Sequence, residues 1–431
     1  MTLNRVQKFV SENDFYEYNI YVIGNISTQH ILEFQLSNYS NLNFIYEPEG
    51  RDSAAVICLA TLLGKSDDYT YIFSCDHLIE DKAFDQMLTQ SFMYINDNII
   101  TFGVKPTYPN TGFGYIKVDG YETKEFVEKP TIEIATEYIK SKNYLWNSGI
   151  FGFKNENMRN CFQKITPHIW NICIKAFNDM KFPMLLGDDY SNCEKISFDY
   201  AIMEKKDLLH ELKVGLITIP LKGEWADIGN FKSIWENFNK DKNNNLLIGD
   251  ISVVETNNCY IDSPNIPVAT LGLENLTIIN TEDCLLVSTM DKTSDIKKIT
   301  SIISQTKNKN LLHEHKLVHR PWGWYKNIEG NDLNGFKVKR IAVYPAKRLS
   351  LQSHNKRSEH WVIVRGEGMI QLGINHIYVK KGDHIFIPVK EKHRITNTGV
   401  DLLEFTETQI GEYLGEDDII RYEDDYGRQS L

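Results

Sequence analysis

The runs Ile20-Tyr21-Val22-Ile23, Ala54 to Leu63 and Tyr71-Ile72-Phe73-Ser74 decide the fold of the first half of the chain. A short apolar run, a longer and almost wholly apolar stretch and a second short run read as strand, helix and strand. The same rhythm continues from Tyr18 to about Asn239, which predicts βαβ units and a mostly parallel, Rossmann-like mixed sheet with helices on both faces. Helical signals stop after the polar, turn-rich Asp241-Lys242-Asn243-Asn244-Asn245. Short strands follow at Ile251 to Val254, Val268 to Leu271, Leu276 to Ile279 and Cys284 to Val287, too few for a sandwich, and then a helix from Ser294 to Gln305. From Gly335 to Phe405 the β pattern is nearly continuous, which favours an all-β barrel or double-sheet roll. The reading is of three units: an α/β unit over 1–240, a short β connector with a linker helix over 241–312, and a barrel over 313–431.

Composition narrows the function classes. With 431 residues, 42% hydrophobic and 24% charged, the chain has the balance of a folded globular protein. Its 47 basic and 58 acidic residues give a net charge of −11, which argues against nucleic acid or an anionic membrane surface as partner. No apolar run is long enough to span a bilayer and Met1-Thr2-Leu3-Asn4-Arg5 lacks a signal-peptide pattern, so a soluble cytoplasmic protein is expected. The seven cysteines are scattered and never spaced C-x-x-C, consistent with reduced structural thiols. Eight of the twelve histidines lie after residue 310, which marks the C-terminal unit as chemically distinct.

In the α/β unit the informative positions stand at predicted strand ends: Asp76-His77, Glu128-Lys129-Pro130, Asn147-Ser148-Gly149 and Trp225-Ala226-Asp227. Ligands of open α/β sheets sit there, where carboxylates hold Mg²⁺ and a lysine meets a phosphate. Taken singly, each also reads as turn chemistry or a helix cap. Gly64-Lys65-Ser66 ends like a phosphate loop, but Leu59 stands where its first glycine belongs, so a helix C-cap is the better reading.

Together and in this order, these positions resemble the sugar-1-phosphate nucleotidylyltransferases, specifically the bifunctional mannose-6-phosphate isomerase/mannose-1-phosphate guanylyltransferase family. The matching stretches include Glu47-Pro48-Glu49-Gly50-Arg51-Asp52, Ser74-Cys75-Asp76-His77, Phe126-Val127-Glu128-Lys129-Pro130, Trp146-Asn147-Ser148-Gly149, Ser197-Phe198-Asp199-Tyr200-Ala201 and Gly223 to Trp235. The resemblance implies that Glu47, Gly50 and Arg51 line a guanine pocket and that Asp76 and Asp227 hold a catalytic Mg²⁺. It further implies that Glu128 and Asn147 read mannose and that Lys129 pairs with its phosphate. Mannose 1-phosphate would then attack the α-phosphorus of GTP. The family also has a first strand and a glycine-rich loop, G-G-x-G-x-R-L-x-P-L followed by Pro-Lys, that binds the triphosphate. Met1 to Val22 resembles the region after that loop, and no such loop occurs in residues 1–431. The expectations left open are a start further upstream, a complementing chain or second copy at the truncated sheet edge, or a domain kept as a sugar-nucleotide-binding or assembly scaffold beside an active isomerase.

In the barrel, Gln352 and His354 are two apart and share one face of a strand, with Glu359, His393 and Asn397 downstream. Two imidazoles with a carboxylate and an amide oxygen suit Zn²⁺ with an open position. The pattern resembles the two cupin motifs, with Gln352 in place of the first histidine, and is similar to zinc phosphomannose isomerases of type II. That implies Zn²⁺ on Gln352, His354, Glu359 and His393, and interconversion of mannose 6-phosphate and fructose 6-phosphate. Lys337, Lys339, Arg340, Arg421 and Arg428 are the candidates for the 6-phosphate, with Arg421 also implicated in catalysis; His360 and His384 read as packing or supporting groups.

Overall fold

The computed structural model describes residues 2–13, 17–181, 184–306, 309–312, 315–331 and 334–426. The chain divides into two compact units, Met1–Phe238 and Asn239–Leu431. Among the described residues no helix is long and apolar enough to cross a membrane.

The first unit is built on a six-stranded sheet in the order Tyr69–Ile72, Tyr144–Lys154, Asn98–Val104, Gly215–Pro220, Glu122–Val127, Tyr115–Asp119. Alternate residues of its strands point to opposite faces: Ile99, Phe151 and Phe153 into one core, Ile100, Phe102 and Ile150 into the other. The first core is closed by helix Asp52–Leu63, apolar all round and therefore buried, with helices Asn155–Ile165 and Pro167–Asn178. The second is closed by helix Asp81–Ser91 and by Phe9 of helix Thr2–Glu12.

The sheet is mixed, but the expectation of mostly parallel pairing is corrected. Within it only Asn98–Val104 and Gly215–Pro220 run parallel. Tyr115–Asp119 and Glu122–Val127 are a hairpin turned through Gly120 at φ +64°, and so short a connection can join only antiparallel strands. A separate parallel pair, Ile20–Asn25 with Leu42–Glu47, shares the first core through Tyr21, Ile23 and Ile45, yet makes no ladder with the large sheet.

In the second unit the four strands Leu246–Val254, Tyr260–Leu271, Leu276–Asn280 and Leu285–Thr289 form one sheet whose first two pairings are parallel. Equivalent positions stack as rungs, with Cys259, Ile261 and Ile278 at the centre. This stretch is thus a stacked β element rather than a string of isolated strands. The barrel consists of a six-stranded sheet and a five-stranded sheet, with Trp361, Ile363, Ile370, Ile395, Leu403 and Phe405 between them.

Candidate functional site

In the first unit, strand Trp225–Asp227 pairs antiparallel with His77–Ile79, which sets Asp227 opposite His77. The Ile228 N–H donates to the Asp76 carbonyl at 3.1 Å, so both aspartates lie at one end of this short ladder. Burial, and then the charge of Asp76, push the Asp227 carboxyl above its ordinary range, against the Gly229 N–H that donates to it at 2.8 Å. A carboxylate pair of like charge is the donor set a hard divalent cation relieves.

Glu128 and Asn147 converge beside Gly114, and Lys129 joins them through Glu128. A Cβ on Gly114 would lie 2.5 Å from Glu128 Oε2 and 3.4 Å from Asn147 Cβ. Lys129 adopts φ +45°, a left-handed conformation that costs a non-glycine residue about 1–3 kcal/mol, and its Nζ lies 3.0 Å from Glu128 Oε1. The Asn147 amide is fixed: Oδ1 accepts from Thr101 Oγ1 at 2.8 Å and from the Gly149 N–H at 3.2 Å, and Nδ2 donates to Asp199 Oδ1 at 2.8 Å. Asp199 opens a π-turn, Asp199–Met203, and burial, with Glu128 adding to it, pushes its carboxyl up to about 7. Sequence reasoning gave Asp199 no role, although it lies in one of the matching stretches.

Glu47 ends strand Leu42–Glu47, and Gly50 and Arg51 lie on the turn from it into helix Asp52–Leu63. Glu47 is buried, and its Oε1 accepts from Tyr190 Oη at 2.6 Å. Burial raises the Glu47 carboxyl against the lowering effects of Tyr190 and the Arg51 N–H. Arg51 Nη2 meets Glu49 Oε2 at 2.7 Å while its buried Nε finds no acceptor, and a Cβ on Gly50 would meet open space.

In the second unit His354, Glu359 and His393 bring one ligand atom each within 4.8 Å of one another, all buried. His354 Nε2 is 3.0 Å from Glu359 Oε1, and His393 Nε2 is 3.4 Å from Glu359 Oε2. Neither Nε2 makes a hydrogen bond of acceptable geometry, so two buried lone-pair positions face one carboxylate. His393 Nδ1 is 2.9 Å from the Glu391 carbonyl; as donor there, it leaves Nε2 unprotonated toward the centre. Gln352 pairs in register with His393 on the next strand, and its Oε1 accepts from Ser350 Oγ at 3.1 Å. The residues fit a metal. Despite burial, the two imidazoles hold the Glu359 carboxyl well below its ordinary range; burial lowers His354, whereas Glu359 and the Glu391 carbonyl outweigh burial and raise His393.

Around this triad the barrel interior is a charged lattice. Arg357 Nε lies 3.2 Å from Glu359 Oε1, Trp361 Nε1 donates to both Glu359 and Glu407, and Gln409 Nε2 donates to Glu407 at 2.7 Å. Burial, with Glu359 nearby, pushes Glu407 up to about 8. Lys339 also points inward, ion-paired with Glu416 and 4.9 Å from the centre of the Tyr325 ring. Arg340, one residue on, points the other way onto Glu404 and the Trp324 ring and is not brought to the triad. Arg421 sits in register with Gln352 on strand Ile419–Glu423, whereas Arg428 lies outside the described residues. Asn397 is taken up by a turn: its Nδ2 donates to Val343 and Asp401 carbonyls and its Oδ1 accepts from the Gly399 N–H. His360 Nδ1 lies 3.1 Å from His384 Nε2, with the two rings near parallel and their centres 5.4 Å apart; His384 is exposed and His360 half-buried.

Comparison with known proteins places these features in context. Residues 11–244 match the nucleotidyl transferase family, 249–301 a MannoseP isomerase/GMP-like beta-helix domain, and 307–424 the mannose-6-phosphate isomerase C-terminal family. The chain is 34% identical over 421 residues to mannose-1-phosphate guanylyltransferase RfbM of Salmonella typhimurium, covering 93% of this chain and 86% of that protein. It is 33% identical to mannose-1-phosphate guanylyltransferase of Escherichia coli K12 over 433 residues, covering 94% of this chain and 88% of that protein. It is 34% identical to the xanthan biosynthesis protein XanB of Xanthomonas campestris, covering 89% and 83%. Among solved structures, one described as mannose-1-phosphate geranyltransferase from Thermus thermophilus shares the fold with a TM-score of 0.59 at 24% identity, over 70% of this chain and 88% of that one.

Proposed function

This chain belongs to the mannose-1-phosphate guanylyltransferase family that carries a mannose-6-phosphate isomerase C-terminal domain, and from that premise we propose that it makes GDP-mannose from GTP and mannose 1-phosphate. The mannose 1-phosphate oxygen attacks the α-phosphorus in line, and the bond to pyrophosphate breaks with the electron pair leaving on pyrophosphate. Asp76 and Asp227 would hold Mg²⁺, which supplies charge neutralisation at the phosphates. Glu128 and Asn147 accept and donate at mannose hydroxyls, Lys129 meets the sugar phosphate, and Glu47, Gly50 and Arg51 border the base. The observation that carries this reading is the convergence of Glu128 and Asn147 beside Gly114, with Lys129 on Glu128, in the same unit as the short ladder that ends at Asp76 and Asp227. Pyrophosphate release from GTP that depends on mannose 1-phosphate and disappears in Asp227→Ala tests it.

In the barrel, Gln352, His354, Glu359 and His393 would hold Zn²⁺, which supplies polarisation of the sugar oxygens during aldose–ketose isomerisation of mannose 6-phosphate. Lys339 and Arg421 are the cations we assign to that side of the chemistry, with Arg428; Arg340 is the weaker candidate because Glu404 holds it. The working units are 1–240, 241–312 and 313–431, and a nucleoside triphosphate substrate suits a cytoplasmic enzyme.

A second reading is an active isomerase beside a nucleotide unit that binds without turnover. Strands Ile20–Asn25 and Tyr69–Ile72 each have a single neighbour in their sheets while sharing one core, and a strand from a second copy or a complementing chain suits such edges. Isomerisation without any GDP-mannose synthesis would select the second reading.

A further inference from the structure

We infer that Asp199 is a positioning residue for the sugar site: through its hydrogen bond it sets the plane of the Asn147 amide, so that the second N–H of that amide is presented to a hydroxyl of the bound hexose. The inference rests on the reading of Glu128 and Asn147 as the sugar-reading pair.

Three observations carry it. The first is the accounting of the Asn147 amide. The Gly149 N–H can only donate, so the atom 3.2 Å from it must be Oδ1; Thr101 Oγ1, whose other near neighbour is the Ile150 carbonyl, occupies the same oxygen at 2.8 Å. Nδ2 therefore faces Asp199 Oδ1, the acceptor for one of its two N–H groups and the only one it has among the described residues. Among the described residues the second N–H has no acceptor, on a residue that is 9% exposed, and a buried amide donor left without a partner is costly.

The second observation is how Asp199 is held. Phe198, fully buried, packs on Phe151 with ring centres 4.8 Å apart, and Asp199 then meets Asn147 on the same strand. Two successive residues thus dock the π-turn onto strand Tyr144–Lys154. The Phe198 N–H donates to Ser53 Oγ at 2.9 Å, and the Glu204 N–H closes the turn onto the Asp199 carbonyl at 3.0 Å. π-Turns are rare and occur frequently at functional sites.

The third is the charge balance. Asp199, Glu128 and Glu204 gather near one lysine: Lys129 meets Glu128, and Glu204 Oε1 accepts the Glu128 N–H at 3.3 Å. Acceptors outnumber cations, which suits a polyol donating several O–H groups rather than a second anion.

The test compares binding of GDP-mannose with binding of GDP to the full chain by calorimetry, so that each protein supplies its own control. Asp199→Ala is expected to lower the ratio of the two affinities about tenfold with GDP binding unchanged, and Asp199→Asn, which keeps an acceptor oxygen, is expected to restore it. In an Asn147→Ala background Asp199→Ala is expected to add nothing. An unchanged ratio in Asp199→Ala, a parallel loss of GDP and GDP-mannose binding, or a full extra effect in the Asn147→Ala background would each overturn the inference. If the unaltered chain binds GDP-mannose no better than GDP, or neither of them, the reading of the sugar site itself fails and takes the role of Asp199 with it.

Discussion

His393 and Glu391 are two residues apart, and the Nδ1 of the first lies 2.9 Å from the carbonyl oxygen of the second. That contact turns a buried histidine into an oriented donor of one lone pair: Nε2 faces Glu359 Oε2 at 3.4 Å with His354 on the other side of the same carboxylate. Metal affinity therefore depends on both imidazoles and not on the His360–His384 pair. His354→Ala or His393→Ala is expected to weaken Zn²⁺ binding by at least about 100-fold in chelator competition, since each removes a ligand whose supporting contacts alone are worth about 10–100-fold. His384→Ala, at the exposed partner of His360, is expected to leave it unchanged. Equal losses in all three would contradict the triad.

The Lys339–Glu416 pair is asymmetric: the lysine side chain is 6% exposed and the glutamate 50%. Glu416→Gln would strand a buried ammonium and is expected to cost about 2–4 kcal/mol, whereas Lys339→Met would leave a carboxylate that water can reach, at a cost of about 1 kcal/mol. Urea midpoints of the two variants check the order; the reverse order would show that Glu407, the other carboxylate near Lys339, is the partner that matters.

Burial raises the Asp199 carboxyl from an ordinary 3.8 to about 7, with Glu128 adding to it. Between those values the folded chain keeps a proton that the unfolded chain has released, so this group makes stability fall as pH rises, and the penalty is complete above about 7. Asp199→Asn cannot ionise. Its stability relative to the unaltered chain is expected to climb between about pH 4 and pH 7, by at most about 4 kcal/mol. A pH-independent difference in thermal midpoint would mean that Asp199 titrates like a surface aspartate.

Gly114 has no room for a methyl group, because its Cβ would stand 2.5 Å from Glu128 Oε2 and 3.2 Å from Phe126 Cζ. The carboxylate end is flexible, so Gly114→Ala is expected to cost little stability, about 1 kcal/mol, and to displace Glu128 instead. Affinity for mannose 1-phosphate should fall about tenfold with the midpoint of unfolding nearly unchanged. A large loss of stability with affinity intact would place Glu128 outside the sugar site.

The legible and the illegible parts of this molecule differ for physical reasons. Alternation made the barrel strands readable: Trp361, Ile363, Leu403 and Phe405 occupy one face at a period of two. The same period says that only one of Lys339 and Arg340 can face the interior. The parity of Ile341 and Val343, both core residues, identifies Lys339 as that one, but which face of the strand is the inner one is decided by its partners and not by its own sequence. The parallel rungs after residue 245 were only half visible, because strand Tyr260–Leu271 carries Pro264 and Pro267, residues that ordinarily interrupt a ladder, and only its end from Val268 read as strand. The strand passes through both, beside the irregularity where Gly249 takes φ +108°. Strand direction in the first sheet was misread although Gly120 stood at a two-residue hairpin turn. Asp199 had no local signal: its partner Asn147 is 52 residues away, and a π-turn breaks the 3.6-residue period that would have shown its face.

Two separate chemistries in one chain are the central claim to test. The most direct measurement assays a single preparation for GDP-mannose formation from GTP, Mg²⁺ and mannose 1-phosphate, and for mannose 6-phosphate isomerisation with Zn²⁺. It then repeats both with Asp227→Ala and His393→Ala. The prediction is that Asp227→Ala abolishes only the first activity and His393→Ala only the second. Loss of both in either variant, or no GDP-mannose from the unaltered chain while isomerisation proceeds, would contradict it.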